Sequence, residues 1–323
     1  MDSMDSLNTV RLTTVGSEQL ERIFQQELQC WEKELFWDYQ PAISLIKKYV
    51  SSRSLPGWAV TNDKGDLFGY AYYVVNHPVG YIGNIYVRSE CATAATYALL
   101  LDKILYSLSS SSRVQRIESQ LFAFNCDLAP LFKSHDFVAA ERHFLSLSLD
   151  QLEVDHGKAN ALKDFRISRW KKKFLQPAAE VIHSSYQQSP DRLLCYDYQS
   201  VEGCHRFLLN LIRHPSCGIF TPETSWIALD TRGELCAVLL TSRISPGTGM
   251  IPQISVRYDC QGMGIGSVML RRYFREARKS GLDKITLSVS DANPRAYQLY
   301  LRFGFHKQKG FHAFVREGNG ESS

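Results

Sequence analysis

Three glycines at alternate positions, Gly262, Gly264 and Gly266, separate a segment typical of a strand from a segment typical of a helix. Glycine has no Cβ, so a ligand can approach its backbone N–H group closely. The first turn of a helix also leaves N–H groups unpaired and carries the positive end of the helix dipole. Residue type and spacing therefore predict a site for an anion such as a diphosphate.

Two other kinds of glycine loop do not fit this spacing. A P-loop has a lysine directly after its last glycine, whereas Gly266 is followed by Ser267 and Val268. The dinucleotide fingerprint GxGxxG needs a glycine at position 267, where this chain has serine. The chemistry of a nucleotide hydrolase and of a dinucleotide oxidoreductase is therefore disfavoured.

A different family matches both this loop and a second segment. The pattern Gln-x-x-Gly-x-Gly, which starts at Gln261, resembles the acyl-CoA loop of the Gcn5-related N-acetyltransferase (GNAT) superfamily. The segment NPRAYQLYLRFGF, residues 293–305, resembles a second motif of the superfamily. Its matching positions are Asn293, Ala296, Leu299, Tyr300, Gly304 and Phe305. The resemblance covers residues 165–316 well and residues 10–149 more faintly.

The resemblance implies that acetyl-CoA is the cosubstrate, with no metal. The coenzyme would lie between a strand at Ile254–Val256 and a strand at Ile285–Ser290, where its pantetheine can pair with strand backbone as an added strand does. Asn293 is equally consistent with the N-cap of a helix that begins at Pro294. The implied contacts are Ile254, Ser255, Val256, Gln261, Gly262, Met263, Gly264, Ile265, Gly266, Ser267 and Asn293.

Tyr300 is the catalytic residue that the resemblance implies. Its hydroxyl would lie beside the coenzyme sulfur, where a phenol of pKa about 10 can protonate a departing thiolate. A backbone N–H on the Ile254–Val256 strand could stabilise the oxyanion of a tetrahedral intermediate. The alternative is that Tyr300 only fills space between a helix and the sheet.

The general base is left open by the sequence. Many GNAT relatives have a glutamate on the strand before the glycine loop, but this chain has Pro252–Gln253 there. A water chain could substitute, as could Tyr198, Glu202 or His205, although such residues are ordinary on a surface helix. Cys217 is a conceivable nucleophile, but no motif supports it and a packed thiol is favoured.

The elements that would position these residues occur twice in the chain. The segment WAVTNDKGDLFGYAYY begins at Trp58 and WIALDTRGELCAVLLT begins at Trp226, 168 positions later, and each is typical of a β-hairpin. The strand and helix at residues 85–101 match those at 254–270. The sequence therefore predicts an α/β (α+β) chain of two tandem GNAT-like domains, each a mixed, mostly antiparallel central sheet flanked by helices.

The repeat also predicts domain boundaries and a division of roles. We expect a degenerate GNAT-like domain at residues 1–150, a linker at 151–163 and an acetyl-CoA-binding catalytic domain at 164–323. In the first repeat Phe132 stands in the place of Tyr300 and Asp136 in that of Gly304. The glycine loop is replaced by Ala92, Thr93, Ala95 and Tyr97, whose added atoms should crowd a diphosphate, although the small residues at 92–95 leave weak coenzyme binding open. The first repeat is therefore predicted to be catalytically silent.

Composition excludes other classes of function. The 37 basic and 33 acidic residues are spread along the chain, so the sequence indicates no basic surface for nucleic acid or acidic lipid. The short basic run at Lys171–Lys173 is typical of a solvated stretch. No leader-like start or apolar span is present, and the eight cysteines lack metal-type spacing, so we expect reduced thiols in a cytoplasmic protein that is a monomer or a homodimer.

The sequence as a whole predicts an N-acetyltransferase. It would move an acetyl group from acetyl-CoA to a primary amine of a small molecule or peptide, by direct attack through a tetrahedral intermediate. Two alternatives stay open: transfer of another acyl group from acyl-CoA, and a noncatalytic module that senses CoA. An intact glycine loop together with Tyr300 favours catalysis.

Overall fold

The computed structural model describes residues 7–150 and 164–318, which form two compact units. The first unit takes the described residues up to Glu141 and those from Gly310 onward, and the second unit spans Arg142–Lys309. The predicted linker at 151–163 lies outside the described residues. No helix within them is both long and apolar enough to cross a bilayer.

Within residues 7–150, the first repeat contains six strands and four α-helices. The strands are β1 (Asn8–Arg11), β2 (Gly57–Thr61), β3 (Leu67–Asn76), β4 (Val79–Val87), β5 (Arg116–Leu121) and β6 (Val138–Ser148). The helices are α1 (Glu21–Leu35), α2 (Gln40–Ser51), α3 (Ala94–Ser109) and α4 (Ala129–Lys133).

The second repeat follows the same order with one added short strand. The strands are β7 (Arg166–Arg169), β8 (Ile219–Phe220), β9 (Trp226–Leu229), β10 (Leu235–Ser245), β11 (Thr248–Val256), β12 (Lys284–Ser290) and β13 (His306–Glu317). The helices are α5 (Leu175–Tyr186), α6 (Val201–Arg213), α7 (Ile265–Lys279) and α8 (Pro294–Arg302).

The sheet of the second unit has the order β6-β12-β11-β10-β9-β7, and β8 pairs with β10. Among its described strands, only β11 and β12 are parallel, because α7 connects them as a crossover; the other pairs are antiparallel. In the first unit the order is β1-β2-β3-β4-β5-β13, again with one parallel pair, β4 and β5. The predicted fold class, a mixed and mostly antiparallel sheet flanked by helices, is confirmed.

Both faces of each sheet are covered by helices. In the second unit one core joins the sheet to α7 and α8, and another joins it to α5 and α6. Strand β10 lies between these layers, and all six residues of its apolar run, from Leu235 to Leu240, are buried. A continuous apolar run of this kind is typical of a strand with both faces covered. In the first unit α3 and α4 lie over one core, and α1 and α2 over the other.

The last strand of each repeat belongs mainly to the unit of the other repeat. In β6, residues Arg142–Ser148 pair with β12, and in β13, residues His312–Glu317 pair with β5. The compact units therefore differ from the predicted division at residues 150 and 164 in these two strands. The repeat indicates which segments are homologous, but it does not determine which sheet edge a terminal strand joins.

Candidate functional site

Strands β11 and β12 separate at the place where the sequence predicted a coenzyme. They pair from Thr248 opposite Lys284 as far as Ile251 opposite Leu287, and the described residues show no pairing between them beyond that point. The next residue in β11 is Pro252, which has no N–H to donate, and the ladder between β10 and β11 has a register shift at this point. The two strands therefore leave a cleft between their carboxyl ends.

A cavity of about 670 Å³ occupies this cleft. Eleven of the twelve residues that the sequence predicted for the site line it, namely Ile254, Ser255, Val256, Gln261, Gly262, Gly264, Ile265, Gly266, Ser267, Asn293 and Tyr300. Met263 is not among them, and its side chain is half exposed. The structure thus brings the predicted residues together, while their binding roles stay predictions.

The glycine loop leaves the start of α7 open. Gly262 and Gly264 have φ angles of 85° and 82°, in the left-handed region that glycine adopts without strain. Gly264 is the N-cap residue and supplies no side-chain cap, so the first N–H groups of α7 lack an internal partner. An added Cβ at Gly266 would meet Ile254 and Val256 at 3.8 and 3.9 Å, which places it on the side of the helix that faces β11.

The charged residues at this cavity are positive. Of its described lining residues, Arg295 and Arg302 are charged, and none is acidic. Arg295 donates from Nη1 to Oε1 of Gln261 at 3.4 Å, and Gln261 in turn donates from Nε2 to the carbonyl of Val256 at 3.2 Å. Arg295 stands inside the second GNAT motif, so its charge was a signal in the sequence that the prediction did not use.

Tyr300 lies on α8 and is 6% exposed. Its ring packs edge-on against Phe305, with centroids 5.8 Å apart. Burial, with a smaller contribution from nearby Tyr186, raises the pKa of the Tyr300 hydroxyl. Tyr300 therefore holds its proton more firmly than a phenol in water.

Asn293 has the capping role that the sequence allowed. Its Oδ1 accepts from the backbone N–H of Ala296 at 3.1 Å, which caps α8. Asn293 also lines the cavity, so capping and contact with a ligand are compatible.

Polar side chains at the end of α5, which also line the cavity, were missed by the sequence analysis. Tyr186 and Ser185, at the end of α5, line the cavity together with Ser255. Ser185 donates to the Ser255 hydroxyl at 2.9 Å, and Gln253 donates from Nε2 to the same hydroxyl at 2.8 Å. The polar run Ser184–Tyr186 after an apolar helix face was the available signal.

The open candidates for base and nucleophile lie away from the cavity lining. Tyr198 stacks behind Tyr186 with centroids 4.0 Å apart, and neither Glu202 nor His205 lines the cavity. Cys217 is also absent from the lining, and burial raises the pKa of its thiol, which opposes a thiolate nucleophile. Among the described residues no cluster of histidine, cysteine and acidic side chains is arranged to hold a metal.

In the first repeat, the start of the corresponding helix, α3, is capped by a side chain of the protein. Thr93 caps α3, because its hydroxyl accepts from the N–H of Thr96 at 3.2 Å, and Tyr97 is buried. Phe132 is fully buried and stacks on Phe314 with centroids 3.9 Å apart. Asp136 has a φ of 62°, in the left-handed region that Gly304 also adopts.

Aromatic side chains gather at the end of β5, where the second repeat has small residues. Phe122 and Phe124 align with Ser290 and Ala292 in the repeat. Both rings pack edge-on against Trp31, with centroids 5.3 and 5.2 Å apart. Aromatic packing therefore replaces, in the first repeat, the small residues that the second repeat has at the end of β12.

A family model matches the part of the chain that contains the glycine loop and α8. The sequence model of the acetyltransferase (GNAT) family matches residues 191–305. A search of curated proteins finds no significant match to the chain.

Solved structures resemble the whole chain. A GCN5-related N-acetyltransferase from Sphaerobacter thermophilus is 16% identical, with 96% of this chain and 95% of that one covered and a TM-score of 0.65. A tandem GNAT protein from the clavulanic acid biosynthesis pathway is 11% identical, with coverage of 98% and 100% and a TM-score of 0.63. A glucosamine N-acetyltransferase region of a fungal GH3 β-N-acetylglucosaminidase is 14% identical, with coverage of 98% and 38% and a TM-score of 0.66. At these identities the likeness shows the fold, which is a tandem GNAT fold.

Proposed function

We propose, from the premise that residues 191–305 of this chain form a GNAT-family domain, that the protein is an acetyl-CoA-dependent N-acetyltransferase. The GNAT fold supports acyl transfer from acyl-CoA in general. The finer proposal is that the acyl group is acetyl and that the acceptor is a primary amine of a small molecule or peptide. The observation that carries it is the uncapped start of α7 opening into the cavity between β11 and β12.

The cavity suits the anionic coenzyme at one end. The diphosphate would accept hydrogen bonds from backbone N–H groups at the start of α7, near Gly264 and Gly266, and the helix dipole favours negative charge there. Arg295 adds a positive side chain beside the same loop. No lining residue among those described is acidic, so nothing at the cavity wall repels the phosphates.

The pantetheine would extend along β11. Beyond Ile251 this strand has no β12 partner, so backbone from Ile254 to Val256 can pair with the two pantetheine amides. That pairing would bring the thioester toward Tyr300. A backbone N–H of β11 would stabilise the oxyanion that forms at the thioester carbonyl.

Tyr300 would serve as the general acid. Because its pKa is raised, the hydroxyl stays protonated and can donate to the thiolate as the C–S bond breaks. The first repeat, with Phe132 at the same place, has no proton to donate. Catalysis by the second repeat alone is therefore proposed.

The test combines calorimetry with thiol release. We expect acetyl-CoA to bind the native protein, and a panel of primary amines to include acceptors that release CoA thiol. Tyr300→Phe should lower turnover by about 10²–10⁴-fold, the usual contribution of a general acid, with coenzyme affinity retained.

Tyr273→Phe is the matched control for Tyr300→Phe. Tyr273 is a fully buried tyrosine of the same unit that does not line the cavity. Its loss of a hydroxyl should leave turnover unchanged. Absence of acetyl-CoA binding would reject the enzyme proposal, and equal turnover by Tyr300→Phe and the native protein would remove Tyr300 from its role.

A further inference from the structure

The side chain of Tyr186 forms part of the cavity wall. Tyr186 is the last residue of α5, and it lines the cavity. Its hydroxyl accepts a hydrogen bond from Nε2 of Gln253 at 3.4 Å, and the same Nε2 donates to Oγ of Ser255 at 2.8 Å. Ser255 also lines the cavity, and it lies in β11 beyond Ile251, where the pairing with β12 ends. The Tyr186 hydroxyl is therefore held beside the unpaired edge of β11.

The same hydroxyl lies close to Tyr300, on the other wall of the cavity. Burial is the larger cause of the raised pKa of Tyr300, and the charge that Tyr186 would carry as a phenolate adds to it. An interaction of this kind weakens with distance, so the two hydroxyls are neighbours. Tyr186 thus stands between β11 and the proposed acid, which is where the thioester of the acyl donor is expected.

The proton of the Tyr186 hydroxyl has no acceptor in the part of the chain that the structure describes. The oxygen accepts from Gln253, so the proton points away from that amide. Tyr198, whose ring stacks on that of Tyr186 with centroids 4.0 Å apart, donates its own proton to Oε1 of Gln253 at 3.4 Å. Burial, and next the charge of Asp191, raise the pKa of the Tyr186 hydroxyl, so the proton is present at neutral pH. A ligand in the cavity can supply the acceptor.

The first repeat contains a comparable amide and tyrosine, but there the tyrosine proton is already used. Asn84 stands in the place of Gln253 in the repeat, and its Nδ2 donates to the Tyr70 hydroxyl at 3.0 Å. Tyr70 in turn donates to Oε2 of the fully buried Glu27 at 2.7 Å. In the repeat without the glycine loop, a carboxyl group of the protein therefore accepts the proton. Among the described residues of the second repeat, none takes that part for Tyr186.

Two atoms of a thioester gain negative charge during acyl transfer. The carbonyl oxygen becomes an oxyanion when the amine attacks, and the sulfur becomes a thiolate when the C–S bond breaks. Tyr300 serves the sulfur in the proposed function. A neutral hydroxyl whose oxygen already accepts a hydrogen bond is suited to donate to an oxyanion, and poorly suited to take a proton from an amine.

We propose that the Tyr186 hydroxyl donates a hydrogen bond to the thioester carbonyl oxygen of the acyl donor. This inference rests on the proposed function, and it adds a side-chain donor to the backbone N–H of β11. The hydrogen bond strengthens as the tetrahedral intermediate forms, and Tyr186 keeps its proton throughout. Gln253 is a positioning residue, because its amide fixes the direction of the hydroxyl.

Infrared spectroscopy of bound acetyl-CoA tests the contact itself. A hydrogen bond to a carbonyl oxygen lowers the stretching frequency of the carbonyl, and a ¹³C label at the carbonyl carbon separates its band from those of the protein. Tyr186→Phe removes the donor, so the band of the bound coenzyme should lie at a higher frequency than in the native protein. Calorimetry should show nearly the same affinity for acetyl-CoA, because the hydrogen bond becomes strong only after attack.

Turnover tests whether this contact contributes to catalysis. Tyr186→Phe should lower kcat by about 10²–10³-fold, the usual effect of losing one oxyanion donor. Tyr198→Phe is the matched control, because it removes the hydroxyl of the other ring in the stack and Tyr198 does not line the cavity. The control should leave the carbonyl band in place and change kcat by less than about tenfold, the effect of one ordinary hydrogen bond.

The outcomes separate this inference from the proposed function. A carbonyl band that stays in place in Tyr186→Phe would overturn the contact, whatever the change in turnover. An equal displacement of the band in Tyr198→Phe, or native turnover by Tyr186→Phe, would overturn it too. If the native protein binds no acetyl-CoA, both proposals fail. If it binds acetyl-CoA but transfers to no amine, the proposed function fails, while the carbonyl band still decides the contact.

Discussion

Tyr300 differs from a phenol in water in its acidity. The sequence led us to expect a pKa near that of a departing thiolate, but burial raises the pKa of this hydroxyl. The role of proton donor was readable from the motif, because residue type and spacing are local properties. The surroundings of the hydroxyl were not readable, because Tyr186 lies more than a hundred positions away in the chain.

The raised pKa predicts a particular pH dependence. A group with a raised pKa loses its proton only at higher pH, so Tyr300 should stay protonated through pH 10, the usual pKa of a tyrosine. We therefore expect no loss of turnover between pH 8 and about 10 that depends on this residue. Rates of thiol release across this range, for the native protein and Tyr300→Phe, check this. A fall in the native rate near pH 10 that the variant lacks would contradict the expectation.

Glu27 predicts a second pH effect, on stability. It is fully buried and accepts hydrogen bonds from Tyr70 at 2.7 Å, Asn84 at 2.8 Å and Trp31 at 3.2 Å. Burial outweighs these bonds and raises the pKa of its carboxyl above the ordinary 4.5. A raised folded-state pKa means that this contribution to stability is complete below pH 4.5 and declines as pH rises through the folded pKa.

Glu27→Gln should remove that decline. We expect the variant to gain in free energy of unfolding relative to the native protein as pH rises from 4 to 8, with chemical denaturation as the measurement. Exposed Glu18→Gln serves as the control and should follow the native curve. A constant difference between Glu27→Gln and the native protein at all pH values would show that folding does not raise the pKa of this carboxyl.

At the scale of elements, the turn before α7 is the clearest difference between the repeats. Helix α3 has a threonine cap that uses one of its own N–H groups, whereas α7 begins after a glycine that uses none. The sequence predicted the glycine turn before α7 and the loss of these glycines in the first repeat, whereas the Thr93 cap is a finding of the structure. An opening between β11 and β12 was implied by the family resemblance, but the residue at which their pairing ends, Ile251, needed the structure.

Alanine substitutions in this turn should distinguish two effects: backbone strain, which lowers stability, and obstruction of the cavity, which weakens acetyl-CoA binding. Gly266 has an ordinary helical backbone, so Gly266→Ala should raise stability by about 0.5–1 kcal/mol and weaken acetyl-CoA binding, because the methyl group enters the cavity. Gly264→Ala should cost about 1–2 kcal/mol as well as binding, because its backbone is left-handed.

Gly233 is the matched control for that strain. Its φ is 80°, no atom lies within 4 Å of a built Cβ, and it does not line the cavity. Gly233→Ala should therefore lose stability as Gly264→Ala does, yet bind acetyl-CoA normally. Thermal melting and calorimetry together check the three variants, and normal binding by Gly266→Ala would argue against a diphosphate at this turn.

At the scale of the molecule, the compact units do not coincide with the sequence repeats. The difference lies in β6 and β13, the last strand of each repeat. Leu145, Leu147 and Leu149, which follow the first repeat's last helix, are part of the core of the second unit. His143 and Ser146 of β6 contact Asp291 and His306 at 3.1 and 2.9 Å. Element order was predictable from local patterns, but the partners of β6 and β13 were not, because pairing between segments far apart in the chain is not a local property.

Fragments test this arrangement. The fragment 142–309 contains every strand of the second unit, whereas the fragment 164–323 lacks β6. We expect the first to be soluble and cooperatively folded, and the second to aggregate, because the edge of β12 and the apolar surface beneath Leu145 are uncovered. Circular dichroism and size-exclusion chromatography provide the comparison. Equal folding of both fragments would contradict it.

The pairing of β13 with β5 also sets an order of events during synthesis. Residues 116–121 leave the ribosome almost two hundred residues before residues 312–317, their partners in the sheet. Throughout that interval the nascent chain carries an open strand edge that invites pairing with other chains. A stop codon that removes only the final strand would therefore damage the part of the protein that was translated earliest.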